Sequence, residues 1–126
     1  MANELILIVD DDSELVATIG RSVRRAGYRT ATAGDGDAAL IDVAKTPPAL
    51  VVSDVLMPPG INGFQLCRQL KGAEATKDIP VILISGKADA ADHFWAQEVG
   101  ARVLLRKPLD LTKLIEEIAE GLVSRK

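Results

Sequence analysis

The sequence lacks the features of secreted and membrane proteins. Only one cysteine, Cys67, occurs among its 126 residues, so no disulfide can form within the chain. Its longest apolar run, Leu5–Val9, is too short for a transmembrane helix or a signal peptide and leads directly into three aspartates. These absences argue against a disulfide-stabilised or membrane-spanning protein and suit a reducing compartment. We therefore expect a cytoplasmic protein with no membrane partner.

The sequence also lacks a concentrated basic surface. The formal net charge is −3, whereas a nucleic-acid-binding face normally shows clustered lysine and arginine. The densest basic stretch follows one predicted helix and the turn after it, which is typical of a solvated helix end. Its residues are Arg21, Arg24, Arg25 and Arg29. We therefore expect no direct contact with nucleic acid.

Short apolar runs alternate with amphipathic segments along the whole chain. The runs predict strands over residues 5–9, 28–33, 50–53, 79–84 and 102–105, and each is followed by a helical pattern. This regular alternation favours right-handed crossovers and helices on both faces of a parallel sheet. The fold class is therefore α/β, a five-stranded (βα)5, flavodoxin-like, doubly wound sheet. The threonine-rich second strand is expected at an edge.

The domain organisation follows from length and from the absence of linkers. A chain of 126 residues fits one domain, and no repeat or low-complexity segment interrupts it. We therefore expect one domain over residues 1–126 with no output domain. In the fourth helix, predicted over 88–99, Ala91, Phe94, Trp95 and Val99 share one side. We expect the two aromatic residues to belong to the core, with one of them turned outwards.

Polar side chains follow four of the apolar runs. They are Asp10, Asp11 and Asp12 after the first strand, Asp54 after the third, Ser85 after the fourth and Lys107 after the fifth. Open parallel sheets bind their ligands at the carboxyl ends of the strands. We therefore expect acids, a hydroxyl and an amine to meet at one edge of the sheet.

The expected meeting of Asp10, Asp11 and Asp54 predicts a metal site. At an effective dielectric constant of about 20, two neighbouring carboxylates repel by a few kcal/mol. A hard divalent cation relieves this repulsion, and Mg2+ prefers carboxylate oxygens, water and phosphate. Asp54 is then a competent nucleophile towards a phosphoryl group. Mg2+, Lys107 and the hydroxyl of Ser85 suit the three phosphoryl oxygens, whose charge such a reaction must neutralise.

Simpler interpretations are preferred for three of the polar motifs. Asp12 or Ser13 suits a helix cap better than a metal ligand. His93 has no second histidine or cysteine at ligand spacing, so a surface position is expected. Gly34-Asp35-Gly36 lacks the spacing of a dinucleotide-binding loop and predicts a turn.

Two other functional classes fit the residues less well. An aspartate-nucleophile phosphohydrolase needs a second acid two residues after the nucleophile, where this chain has Leu56. A flavodoxin-like cofactor binder needs a hydroxyl-rich phosphate loop after the first strand, where the Asp10–Asp12 cluster would repel phosphate unless a metal intervened.

The complete motif set resembles a response-regulator receiver domain of two-component signalling. The resemblance covers essentially the whole chain. The motifs that carry it are Ile8-Val9-Asp10-Asp11, Ser53-Asp54-Val55-Leu56-Met57-Pro58, Gly63, Ser85-Gly86 and Lys107-Pro108.

The resemblance implies a role for each of these positions. It implies that Asp54 is phosphorylated, that Asp11 binds Mg2+ directly and that Asp10 reaches it through water. The backbone carbonyl of Leu56 would complete the metal ligands. Ser85 would be the switch hydroxyl and Lys107 the conserved amine of the family, with a cis peptide bond between Lys107 and Pro108.

The resemblance also implies partners and a mode of action. A sensor histidine kinase or a histidine phosphotransfer protein would donate the phosphoryl group. A downstream protein would then bind the surface made by the fourth helix, fifth strand and fifth helix. Such a domain assists its own phosphorylation and dephosphorylation but turns over no separate substrate, so it is not an enzyme in the usual sense. The alternatives are a receiver fragment of a larger regulator and a pseudo-receiver used only for protein contacts.

Three positions depart from the family pattern. Four residues separate Pro58 from Gly63 where three are usual, so we expect this loop to bulge beside the site. Leu104 occupies a position where many members have an aromatic ring that swings inwards on activation, so a different or shallower switch is expected. Leu109 replaces a frequent phenylalanine, which we interpret as a packing change.

Overall fold

A computed structural model describes residues 3–124 as strands alternating with helices. The predicted domain bounds at residues 1–2 and 125–126 lie outside this range. The strands are β1 (Leu5–Val9), β2 (Arg29–Ala33), β3 (Leu50–Asp54), β4 (Val81–Ser85) and β5 (Val103–Arg106). The helices are α1 (Ser13–Arg25), α2 (Gly36–Lys45), α3 (Gly63–Lys71), α4 (Ala90–Glu98) and α5 (Leu111–Ser124). The predicted five-stranded α/β architecture is confirmed.

The five strands form one parallel sheet in the order β2-β1-β3-β4-β5. The threonine-rich β2 lies at an edge, as predicted. The central strand β3 pairs with β1 on one side and β4 on the other, with Val9 opposite Ser53 and Asp54 opposite Ile84. This order places the carboxyl end of β3 between the carboxyl ends of β1 and β4. The polar residues Asp54, Asp10 and Ser85 lie at or directly after these three strand ends.

Two apolar layers cover the two faces of the sheet. Successive side chains of a strand point to opposite faces. Val51 therefore packs in one layer with residues of α2, α3 and α4, whereas Leu50 and Val52 pack in the other with residues of α1 and α5. Every residue of β3 and β4 is buried. This double covering confirms the prediction of helices on both faces and gives the site a rigid base.

Every helix begins at the carboxyl edge of the sheet with an Asp or Asn cap. The Asp12 side chain accepts hydrogen bonds from the backbone N–H groups of Glu14 and Leu15, so the cap interpretation of Asp12 is confirmed. The corresponding side chains of the other helices accept from an N–H three residues further on. They are Asp35, Asn62, Asp89 and Asp110. Such caps satisfy N–H groups that have no partner within the helix.

The fourth helix is turned differently from the prediction. It begins at Ala90 rather than residue 88, and both Phe94 and Trp95 lie on the surface, 55% and 51% exposed, in an edge-to-face pair. Its buried residues are instead Asp92 and Ala96. The prediction that the aromatic residues belong to the core is therefore wrong; the expected outward position of one of them is found for both. Asp92 instead faces the interior and accepts a buried hydrogen bond from Ser85, which hydrophobicity alone does not reveal.

The loop between β3 and α3 turns at Gly60, which has a φ of 91°. Ile61 from this loop lies close against Gly36 at the start of α2, where an added Cβ would come within 2.5 Å of the Ile61 side chain. The longer loop therefore packs against its neighbouring helix. Within residues 3–124, no helix has both the length and the apolar character needed to cross a bilayer.

Candidate functional site

Three carboxylates meet at the carboxyl edge of the sheet. Asp54 ends β3, and Asp10 and Asp11 directly follow the neighbouring β1. One oxygen from each lies within 4.8 Å of the other two. Asp10 and Asp54 are buried, 4% and 7% exposed, whereas Asp11 is exposed to solvent. The structure thus brings together the three acids named from the sequence.

Lys107 supplies the positive charge nearest to Asp54 in the described part of the chain. Its Nζ lies 3.2 Å from Asp54 Oδ2 and 3.8 Å from Asp10 Oδ2. The backbone N–H of Val55 donates to the other Asp54 oxygen at 2.9 Å. The peptide bond between Lys107 and Pro108 is cis, as expected. The amine therefore already lies where it can neutralise charge added to the Asp54 carboxylate.

Asp10 has one oxygen without a hydrogen-bond partner. Its Oδ1 accepts from the backbone N–H of Asp12 at 3.1 Å. Its Oδ2 is the one buried side-chain oxygen or nitrogen within residues 3–124 that forms no hydrogen bond. Burial, with a smaller contribution from the charge of Asp54, raises the pKa of Asp10 to about 6, although the Asp12 N–H and Lys107 oppose this. A cation at this position would favour the ionised carboxylate and contact the oxygen that forms no hydrogen bond.

The donor set fits a hard divalent cation. It consists of carboxylate oxygens, and a buried polar atom without a partner is unfavourable unless something binds it. Calcium and magnesium both prefer oxygen ligands, and magnesium keeps several waters, which the exposed side of Asp11 allows. The residues present therefore fit the predicted metal.

Ser85, the last residue of β4, forms its side-chain hydrogen bonds with residues other than Asp54. Its hydroxyl donates to Asp92 Oδ2 at 2.6 Å and accepts from the backbone N–H groups of Lys87 and Ala88, both at 3.1 Å. Asp92 is buried, 7% exposed, and was missed by the sequence analysis. Its spacing of four residues from Ala96 could have revealed it as an acid on the inner side of a helix.

A cavity of about 240 Å³ opens beside the Asp54 carboxylate. The exposed side chain of Leu56 is part of its lining, and the metal-binding role of the Leu56 carbonyl stays a prediction. Asp54, Ser85 and Asp92 all line this cavity. Its lining residues are Asp54, Val55, Leu56, Asn62, Phe64, Ser85, Gly86, Lys87 and Asp92.

Two residues singled out in the sequence lie apart from the carboxylates. Leu104 is buried in the apolar layer that faces α2, α3 and α4, so no aromatic ring is available there to change position. His93 is exposed on α4. Neither residue contributes to the cluster of acids.

Comparison with known proteins identifies what the chain is similar to. The sequence model of the response regulator receiver domain matches residues 6–119. The DNA-binding response regulator MtrA of Mycobacterium tuberculosis is 36% identical over 113 residues, which cover 90% of this chain and 48% of MtrA. The chain therefore spans about half the length of this curated relative.

Solved structures show the same fold. A putative response regulator from Chloroflexus aurantiacus superposes with a TM-score of 0.91 and 30% identity, covering 96% of this chain and 98% of that one. The signal receiver domain of a signal transduction histidine kinase from Syntrophus aciditrophicus gives a TM-score of 0.88 and 33% identity, covering 95% and 90% of the two chains.

Proposed function

Because the chain belongs to the receiver domain family of two-component response regulators, we propose that phosphorylation of Asp54 switches its surface for partner binding. The observation that carries the proposal is the arrangement around the Asp54 carboxylate. One side contacts Lys107 at 3.2 Å, and another side opens into a cavity large enough for a phosphoryl group. The nearby Asp10 oxygen, which is buried and forms no hydrogen bond, supports a cation at the same place.

The proposed reaction transfers a phosphoryl group from a phosphohistidine. An oxygen of Asp54 attacks phosphorus, the bond from phosphorus to the donor nitrogen breaks, and the released imidazole takes up a proton. Lys107 neutralises negative charge on one phosphoryl oxygen as it develops. Asp10, Asp11, Asp54 and the Leu56 carbonyl would hold Mg2+, which supplies charge neutralisation when bound.

The donor would be a sensor histidine kinase or a histidine phosphotransfer protein. The domain assists its own phosphorylation and dephosphorylation and has no separate substrate, so we class it as a phosphoacceptor and not as an enzyme. A downstream protein would bind the α4–β5–α5 surface, with no direct role for nucleic acid and with a cytoplasmic location. The same chemistry would serve a lone domain over residues 1–126 or a receiver within a longer regulator.

Labelling with acetyl phosphate tests the acceptor directly. With Mg2+, the wild-type protein is expected to gain a phosphoryl label that hydroxylamine removes, because acyl phosphates react with that nucleophile. Asp54→Asn should abolish the label, and chelation of Mg2+ should prevent it in the wild-type protein. Asp78→Asn is the matched control, because it removes an exposed acid outside the site. Equal labelling of Asp54→Asn and wild type would refute the assignment.

A further inference from the structure

The hydrogen bond between Ser85 and Asp92 is short, buried and charged. Its length of 2.6 Å is typical of a hydroxyl donating to an ionised carboxylate, the stronger class of hydrogen bond. Ser85 ends β4, whereas Asp92 lies in the first turn of α4. Both residues line the cavity that contains Asp54. The bond therefore joins the sheet to α4 inside the proposed phosphorylation site.

A serine hydroxyl has only one proton to donate. In this structure the proton goes to Asp92, while two backbone N–H groups occupy the acceptor side of the same oxygen. Ser85 therefore cannot donate to a phosphoryl oxygen on Asp54 and keep its bond to Asp92. A phosphoryl group and the Asp92 carboxylate compete for one proton.

We propose that Asp92 is a positioning residue that holds Ser85 in the unphosphorylated arrangement and makes α4 respond when Ser85 turns to the phosphoryl group. This inference rests on the proposed function of Asp54. It assigns to Asp92 the connection to α4 that an aromatic residue at position 104 cannot provide in this chain, because that residue is Leu104.

The response of α4 follows from the burial of Asp92. When the Ser85 hydroxyl turns to the phosphoryl group, Asp92 Oδ2 loses the hydrogen bond that it accepts from Ser85 at 2.6 Å in the present structure. A buried carboxylate without its hydrogen bond is strongly unfavourable. Moving the first turn of α4 towards water restores hydration to the carboxylate. Phosphorylation thereby favours a different position of α4, as a ligand does when its contacts differ between two states.

The chain carries a natural reporter of this movement. Trp95 is its only tryptophan, follows Asp92 by three residues on α4 and is 51% exposed. Beryllofluoride with Mg2+ serves as a stable phosphoryl analogue. Calorimetric titration measures its affinity, and Trp95 emission independently measures the response of α4.

Removing the Asp92 carboxylate should strengthen analogue binding but weaken the α4 response. Asp92→Ala frees the Ser85 proton, so we expect beryllofluoride affinity to rise roughly tenfold or more, the equivalent of one charged hydrogen bond. The change in Trp95 emission on binding should shrink. Asp92→Asn keeps an acceptor oxygen without the charge, so its affinity should lie between those of Asp92→Ala and wild type. An unchanged or weaker affinity in both variants would overturn the proposal.

A double-mutant cycle separates this role from a charge effect or a structural one. In a Ser85→Ala background, Asp92→Ala should leave beryllofluoride affinity unchanged, because Asp92 acts only through the Ser85 hydroxyl. An equal gain in both backgrounds would instead show repulsion between charges and overturn the proposal. Asp89→Asn is the matched control: it removes a nearby charge but keeps an acceptor for the Asp92 N–H, and its affinity should match wild type.

The wild-type protein separates failure of this inference from failure of the proposed function. Absence of both beryllofluoride binding and Asp54 labelling in the wild type would refute the acceptor site itself. Normal binding by the wild type with no gain in Asp92→Ala would refute only the role of Asp92. A gain that depends on Ser85, together with a reduced Trp95 response, is the result expected.

Discussion

Asp10→Asn should stabilise the metal-free protein while weakening its binding of Mg2+. In the folded protein the pKa of Asp10 is about 6, against an ordinary value of 3.8. Because each pKa unit corresponds to about 1.36 kcal/mol, the ionised carboxylate at pH 7.5 costs at most about 3 kcal/mol of folding stability. Asparagine has nearly the same shape, keeps an oxygen for the Asp12 N–H and carries no charge. We therefore expect the free energy of unfolding to rise by up to about 3 kcal/mol.

The pH dependence of this gain has a defined sign. A carboxyl group with a raised pKa in the folded state contributes stability in full below pH 3.8, and this contribution is lost as the pH rises through about 6. The stability of the metal-free wild type should therefore fall relative to Asp10→Asn across that interval. Above it, the difference between the two proteins should be constant.

Urea unfolding with a chelator, at several pH values between 4 and 7.5, measures the effect. Adding Mg2+ should stabilise the wild type more than Asp10→Asn, because a ligand that binds only the folded state raises its stability. Asp11→Asn is the matched control, since it removes a charge from the same cluster at an exposed position and should give a smaller gain. The reasoning fails if metal-free Asp10→Asn is no more stable than wild type at pH 7.5.

Three further predictions follow from the site and the core. Lys107→Ala should leave Mg2+ affinity largely intact but abolish the Trp95 response to beryllofluoride; a large loss of Mg2+ affinity by calorimetry would contradict its proposed role. Gly63→Ala should lower stability by about 1–3 kcal/mol, because its Cβ would collide with the Asp54 carbonyl oxygen. Gly34→Ala, with no atom within 4 Å of the added Cβ, should show no such loss in urea unfolding. Cys67 is fully buried, and burial raises its pKa to about 11, so a thiol reagent should modify it only on unfolding; rapid modification of the native protein would show that the core opens.

The position of the acids could be predicted from the sequence because one rule determines it. Parallel strands that are buried on both faces appear as short apolar runs, and their carboxyl ends share one edge. Val9 lies opposite Ser53 in the paired strands β1 and β3. The residues that follow them, Asp10 and Asp54, are therefore neighbours. Asp10 and Asp54 meet for this reason, and no detailed packing was needed to predict it.

The rotation of α4 could not be predicted in the same way. The apolar pattern placed Phe94 and Trp95 in the core because it counted only hydrophobicity. The structure buries an acid there instead, because Ser85 donates to Asp92 from the adjacent strand end. The rotation of a helix about its axis depends on the free energy of all its contacts. One buried hydrogen bond to a charged group can contribute more than the burial of an exposed aromatic pair. The same bond uses the only proton of the Ser85 hydroxyl in this state.

The caps at the helix starts have an electrostatic consequence for the whole edge of the sheet. All five helices begin there, so the positive ends of their backbone dipoles lie on the same side as Asp54. Each dipole contributes about 0.3–1 kcal/mol for an anion close to the helix end at low ionic strength. The backbone of the folded protein therefore contributes a favourable electrostatic potential at this edge of the sheet, which would stabilise a phosphoryl dianion there. That potential comes from peptide groups, so no single side-chain substitution can remove it.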